Sequence, residues 1–479
     1  MWETNPYNNL CIGKGYYKGA SMNVEQIEGY VSVTSASREL DVSVDTIRRW
    51  NKLGLVKAIR DRNNNRLFNL GEIRRLQKKL AGDDTTVYEV LKADVMYPEA
   101  SCMDLFAGAG GTALGFHNAG IPHVMLNELD EHAVETLRIN SESHGLGWNI
   151  VAGDVKNLDF DEYAGRANVI QAGFPCQAFS YAGKSRGFED TRGTLFFEFA
   201  RAIKAVRPKI AIGENVRGLV KHDGGRTLET MLNTLDELGY CVNYRVLRAQ
   251  YLDVPQKRER LIIFAVRKDL DLPILFPRER DYFISLRQAL EDCPESEGQS
   301  YPKRKKEIMD LVPEGGNWRD LPIDIQKEYM GGSFDLPGGR TGMARRMSWS
   351  QPCLTLTCAP AQKQTERCHP TETRPLKVRE YARIQTFPDD WEFSGNVSAK
   401  YKQIGNAVPC NLGYHVGRCV LASLGCIPID EGMEEVEPLQ LGEIFFRMVP
   451  YDACRTEKPF VGVFAPALVQ RGGKSARAW

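Results

Sequence analysis

From Ser101 to about Val266 short apolar runs alternate with amphipathic stretches, and this alternation restricts the chain more than any other feature. The runs are SCMDLF, HVMLNE, NIVAGDV, ANVIQAG, KIAIGEN and RLIIFAV. Each suits a strand buried on both faces. Helical patterns lie between them around Leu114–Asn118, Glu131–Ile139, Thr194–Val206 and Thr227–Leu238. Such repetition predicts an α/β fold: a mainly parallel sheet with helices on both faces, whose ligands collect at the strands' carboxyl ends. With 42% apolar and 26% charged residues the chain can bury a real core. Its length suggests about three domains.

Other classes are excluded quickly. No apolar run approaches the roughly 20 residues that cross a bilayer, so no membrane association is expected. The first thirty residues lack a basic segment followed by an apolar stretch, which argues against a secretory signal. Twelve cysteines in a chain of this size are too few for a disulfide scaffold and read as reduced thiols in a cytoplasm. Cys353, Cys358, Cys368 and His369 have no usual zinc spacing, and no metal is expected.

Net charge is zero, but charge is segregated. Residues 45–80 hold eleven Lys/Arg against three acids, whereas 427–446 hold six acids and no base. The basic end is where a polyanion belongs. There the pattern gives a short helix near Ser35–Leu40, a tight turn, and a second helix from about Val44 to Leu53. Two short strands around an Asn-rich basic tip follow, then another helix. This unit resembles the winged helix-turn-helix of the MerR and excisionase families. The resemblance implies DNA contacts from Arg48 and Arg49 on the recognition helix and Arg62 on the wing.

DLFAGAGGTALGF (Asp104–Phe116) is a glycine-rich strand-to-helix turn with a G-x-G-x-x-A pattern at Gly108, Gly110 and Ala113. Glu128 ends the next strand and Asp154 the one after. Such turns admit a nucleotide-like ligand, and the carboxylates suit ribose hydroxyls and an adenine amine. The pattern fits a dinucleotide as well as S-adenosylmethionine. In GFPCQAFS a rigid Pro precedes Cys176 at a strand's carboxyl end, where a thiol can serve as a nucleophile. Glu214 in GENV, and Arg258 and Arg260 in PQKRERLIIF, end or open neighbouring strands at the same sheet edge.

With these blocks in order, and QIGNAVP at Gln403–Pro409, the chain resembles DNA cytosine-5 methyltransferases of the bacterial restriction–modification type over roughly Ser101–Gly425. The resemblance implies a Rossmann-like S-adenosylmethionine-dependent methyltransferase sheet carrying an inserted target-recognition domain. It also gives the four strand-edge residues roles. Cys176 adds to C6 of a flipped-out cytosine, Glu214 protonates or hydrogen-bonds N3, Arg260 donates to O2, and Arg258 serves phosphate or supports the site. S-adenosylmethionine would be held by Phe106, Gly108, Gly110, Glu128, Asp154, Pro175, Leu195 and Asn406. The segment 177–193, with Ser180, Lys184 and Arg186, would close over double-stranded DNA. Arg340, Arg345, Arg346 and Thr355 would read it or hold its phosphates.

The expected organisation is a tail at 1–28, the winged helix at 29–82 and a linker at 83–97. The catalytic domain follows at 98–268, the target-recognition domain at 269–400, the returning catalytic segment at 401–427 and a C-terminal extension at 428–479. The implied activity is that of a modification enzyme in a bacterial cytoplasm, nucleoid-associated through DNA. Its own promoter DNA would be a second target for the winged helix. A cognate restriction endonuclease would act on the same site without a stable complex. Three alternatives rank lower. In one the chain is first a DNA-binding transcriptional regulator and the methyltransferase is secondary. A tRNA methyltransferase of this family would carry a Cys-Phe-Thr signature, which is absent. A dinucleotide oxidoreductase leaves Cys176, Glu214 and Arg260 idle.

Overall fold

The computed structural model describes residues 30–52, 55–60, 64–69, 71–73, 76, 87–175, 194–335 and 341–441. The N-terminal unit is β1 (Tyr30–Ser32), α1 (Val33–Glu39), α2 (Val44–Lys52), β2 (Ala58–Arg60) and β3 (Arg66–Asn69). Ser32 caps α1 by accepting the Ser35 N–H at 3.1 Å. The strands form an antiparallel sheet in the order β1-β3-β2, so Tyr30–Ser32 adds a strand beyond the two expected. Ala36, Leu40, Ile47, Val56, Phe68 and Ile73 make its core. That leaves Arg48 and Arg49 exposed on α2.

The large sheet contains β4 (Cys102–Leu105), β5 (His123–Glu128), β6 (Ile150–Ala152), β7 (Val169–Ala172), β8 (Ile210–Val216), β9 (Tyr240–Arg248) and β10 (Glu259–Arg267). Its seven strands run β6-β5-β4-β7-β8-β10-β9. The first five are parallel, and β10 is antiparallel to both its neighbours. The order reverses at β4, which puts the crevice for a ligand beside the glycine turn. β9 is the strand that the apolar pattern does not reveal. It lies at the sheet's edge, and its sequence YCVNYRVLR is only half-buried.

Helices cover both faces. α5 (Leu195–Val206) and α6 (Arg226–Glu237) bury Phe196, Phe199, Ile203, Met231 and Leu235 on one side. α3 (Gly111–Ala119) packs on the other side, and α4 (Glu131–Ser143) flanks it.

The chain then leaves this unit and comes back. β11 (Ile274–Pro277) pairs with β12 (Met433–Val436), so the catalytic unit continues past residue 268 and takes in part of the extension at 428–479. Arg245 on β9 holds Glu434 with both carboxylate oxygens, and Leu439 N–H donates to the Val242 carbonyl at 2.8 Å. Much of the acidic C-terminal stretch is thereby spent on the catalytic unit.

Between these points lie α7 (Leu286–Leu290), α8 (Lys303–Asp310), α9 (Ile323–Met330), α10 (Val378–Ile384), α11 (Val397–Asn406) and α12 (Cys410–Ser423). A separate small core joins Tyr301, Met309, Trp318, Leu321, Tyr329, Met330 and Cys368. It is narrower than the 269–400 expected, because α7, α10 and α11 share a core with Leu114, Leu137 and Trp148 of the sheet unit. The segment expected as a linker is docked from Tyr88 on. Tyr88 donates to the Arg383 carbonyl at 2.9 Å, and Asn411 holds Leu91 N–H and the Glu89 carbonyl.

α12 meets α3 at glycines. A Cβ on Gly115 would press into the Cys410 carbonyl and stand 2.7 Å from Gly413 Cα. A Cβ on Gly417 would stand 2.9 Å from Ala119 Cβ. Backbone-to-backbone contact lets α12 lie flat on α3.

Candidate active site

The strands' carboxyl ends and the returning segment enclose a cavity of about 520 Å³. Its first wall is the glycine turn. Glu128 Oε2 accepts the Gly108 N–H at 2.7 Å, and Oε1 accepts the N–H groups of Leu129 and Asp130 at 2.8 Å. The carboxylate thus fixes the turn while lining the cavity. Gly108 has φ +56° and open space where a Cβ would point, and Phe106 is held at φ +61° beside it. Asp154, Pro175, Leu195 and Asn406 complete this wall.

Gly110 does not belong with them. At φ +88°, a Cβ there would stand 2.9 Å from Leu137 Cδ2 and 3.2 Å from the Trp391 ring, so this glycine serves packing behind the turn. Gly111, where a Cβ would strike the Val408 carbonyl, lets the QIGNAVP segment sit on the turn.

The floor carries the charged groups. Glu214 and Arg260, on adjacent antiparallel strands, pair at 2.8 Å between Oε1 and Nε. Burial pushes the Glu214 carboxyl above the ordinary carboxylate range, and Arg260 and Arg258 pull it partly back. A carboxyl held this way keeps its proton to higher pH than an ordinary carboxylate and is suited to acid–base work.

Arg258 is wholly interior. Its guanidinium donates to the carbonyls of Leu356, Gly405 and Ala407 and to Gln256 Oε1. It therefore supports the site, joining the recognition region to the returning segment, and is not at hand for a phosphate.

Sequence reasoning passed over Asn215. Its Nδ2 donates to the Phe174 carbonyl at 2.8 Å and its Oδ1 accepts the Val216 N–H. The β8 end thereby holds the peptide just before Pro175 and Cys176. Only cross-strand register reveals this.

Cys176, Ser180, Lys184 and Arg186, with the rest of 177–193, lie outside the described residues, as do Arg62 and Arg340. Pro175, directly before the cysteine, lines the cavity.

In the recognition region Arg346 is 4% exposed and donates to the carbonyls of Val312, His369, Glu372 and Met309 and to the Thr373 hydroxyl. Its donors knit the small core, so the expected DNA contact does not hold for this residue. Thr355 donates to the Lys257 carbonyl at 2.6 Å, seating the region on the catalytic unit. Arg345 is half-buried, and it depresses the Lys257 pKa after burial has done so, which leaves two crowded cations on this side of the site.

Similarity to known proteins follows the same layout. The family model for C-5 cytosine-specific DNA methylase matches residues 100–421, and that for MerR family regulatory protein matches 32–68. The Type II methyltransferase M.Eco47II of Escherichia coli is 54% identical over 407 residues, which are 81% of this chain and 95% of that protein. M.PspPI of a Psychrobacter strain is 48% identical over 414 residues, 84% of this chain and 98% of its own. A mutant DNMT2 of Spodoptera frugiperda, 14% identical, superimposes with a TM-score of 0.50 over 67% of this chain and 99% of its own, which speaks to the fold alone.

Proposed function

The chain belongs to the C-5 cytosine-specific DNA methylase family, and we propose that it methylates C5 of a cytosine flipped out of a short specific duplex sequence, with S-adenosylmethionine as donor. The observation that carries this reading is the Glu214–Arg260 pair, each side chain 12% exposed, on the floor of the cavity that Pro175, Glu128 and Asn406 line.

The residues present fit the donor. Gly108 leaves the cavity open where a side chain would fill it, and Glu128 and Asp154 offer carboxylates beside the Phe106 ring. S-adenosylmethionine, when bound, supplies an electrophilic methyl group on a cationic sulfur.

The chain's own residues activate the base. The Cys176 thiolate adds to C6, and electron density moves into the ring toward N3 and O2. Glu214 gives N3 its proton, and Arg260 donates to O2. With N3 protonated, C5 becomes an enamine carbon and hence a nucleophile. C5 would take the methyl group as that group's bond to the donor's sulfur breaks; loss of the C5 proton to a base then expels Cys176 as its thiolate, and N3 returns its proton to Glu214. Flipping the cytosine costs a few kcal/mol, which cationic side chains around the cleft, Arg345 and Lys257 among them, offset through contacts with phosphates.

DNA from a methylation-free host expressing the chain is expected to carry 5-methylcytosine at one short motif, read at base resolution. Unmodified DNA beside methylated host RNA would replace this reading with an RNA methyltransferase.

The names of the similar proteins support a place as the modification enzyme of a Type II system in a bacterial cytoplasm, with a restriction endonuclease that meets it only through the shared site. Among the described residues no helix is long and apolar enough to cross a membrane. The MerR-like unit, with Arg48 and Arg49 exposed, supports a second role in holding the chain's own promoter. Footprinting of upstream DNA is expected to show protection by the full chain that disappears on deletion of residues 1–82. Protection that survives the deletion would refute this role.

A further inference from the structure

Just past Thr355 the recognition region reaches the wall of the cavity with a cysteine that the chemistry above leaves unused. Cys358 Sγ donates to Asn406 Oδ1 at 3.0 Å, and Asn406 lines the cavity. Among the described residues this thiol is the only hydrogen-bond partner of the Asn406 side chain. The thiol meets the oxygen side of the amide. The nitrogen side remains, and it can serve only an acceptor.

Backbone contacts set this meeting. A Cβ on Gly405 would stand 2.5 Å from the Thr357 carbonyl oxygen and 2.8 Å from the Cys358 nitrogen, so a glycine is what lets the two segments touch at the end of α11. Arg258 fixes their register. It donates to the Leu356 carbonyl on one side and, on the other, to the carbonyls of Gly405 and Ala407, which bracket Asn406. Gln256 Oε1 accepts the Leu356 N–H at 2.9 Å. Cys358 is exposed as a residue, yet partial burial of its thiol raises the pKa above the ordinary value, with Arg258 and Lys402 opposing. The sulfur therefore keeps the hydrogen that it donates.

We propose that Cys358 is a positioning residue for donor binding: its thiol holds the Asn406 amide by the oxygen, so that the nitrogen is the side offered to an acceptor atom of the donor. An amide free to turn would present oxygen and nitrogen alike, and the donor would have to select one arrangement. Holding it beforehand removes that cost from binding. No bond forms or breaks at the sulfur. A thiol is a weak hydrogen-bond donor, so the effect is modest in size and specific in kind. The inference rests on S-adenosylmethionine being the donor, as proposed above.

The test is calorimetric titration of the full chain with S-adenosylhomocysteine, the donor without its methyl group, which binds without reacting. Cys358→Val stays close to the parent in volume and removes the donated hydrogen. Its Kd is expected to rise about fivefold. Cys358→Ser has a hydroxyl that donates to the same oxygen, and its Kd should stay within about twofold of the parent's. Duplex affinity, followed by gel shift, should stay within about twofold in both. Asn406→Ala completes a double-mutant cycle: with the amide gone, Cys358→Val should cost nothing further.

A residue that only packs predicts the reverse order, with valine tolerated and serine costly, and that result would overturn the proposal. Equal losses in the two variants would do the same, as would a loss that persists in full beside Asn406→Ala. If Cys358→Val does not fold, Cys358→Ala takes its place in the cycle. The parent separates the two ideas. A parent that does not bind S-adenosylhomocysteine removes the donor reading and this inference with it, whereas a parent that binds no better than Cys358→Val removes only the role of Cys358.

Discussion

Glu214→Gln is expected to slow methyl transfer by about a hundredfold to ten-thousandfold, the range over which a positioned acid–base group acts. Gln keeps the size of the side chain but cannot give N3 a proton. It also leaves Arg260 Nε facing an amide in place of the carboxylate it holds at 2.8 Å. The pH profile should change as well as the rate. In the parent, burial raises the Glu214 proton affinity, so its acid form persists above the ordinary carboxylate range and is lost as pH rises through that raised value. The variant should lack this alkaline fall. Duplex affinity, followed by gel shift, should stay near the parent's. Cys176→Ser should instead abolish transfer at every pH, because a serine hydroxyl is far less ionised than a thiol and adds poorly to C6. A Glu214→Gln chain within threefold of the parent in single turnover would remove Glu214 from the chemistry.

The second large effect is structural and lies away from the reacting atoms. Gly115→Val is expected to lower stability by about 3 kcal/mol or more, seen as an earlier midpoint in chemical denaturation. A Cβ alone at this position runs into the Cys410 carbonyl and approaches Gly413 Cα at 2.7 Å. Both obstacles are backbone and cannot swing away as a flexible side chain would. The two added methyls would force α12 off α3. That displacement carries Val408 away from Gly111, and with it the segment that brings Asn406 to the cavity. Donor affinity should therefore fall together with stability. A variant as stable as the parent would mean that the helices can separate without loss.

How much of this could be read from the sequence depended on how each feature is encoded. The parallel strands were legible because burial on both faces writes a continuous apolar run, as in β4 and β7, where every residue is buried. β9 was not, since an edge strand half-exposed along its length carries Asn, Tyr and Arg where the central strands carry Ile and Val. Glu214 and Arg260 were legible as strand-end residues, and the fold pairs them across β8 and β10. Arg346 was misread because charge in a glycine-rich stretch looks the same whether it faces a phosphate or four carbonyls; only the small core of the recognition region distinguishes them. Asn215 acts through Phe174, just past the end of the adjacent strand, and its meaning lies in register, which linear spacing does not contain.

The contact between Gly111 and Val408 also bears on how the protein is made. A ribosome releases the glycine turn about three hundred residues before the segment that closes it. Until then the sheet emerges with the face later covered by α12 open to solvent, a surface on which Phe116, Ile212 and Phe264 remain apolar. Contacts so distant in sequence form slowly, and chains that wait with such a face uncovered are the ones that chaperones engage. The cavity is accordingly among the last parts to be completed, and a chain cut short before residue 406 would lack both part of its wall and the Ala407 carbonyl that holds Arg258.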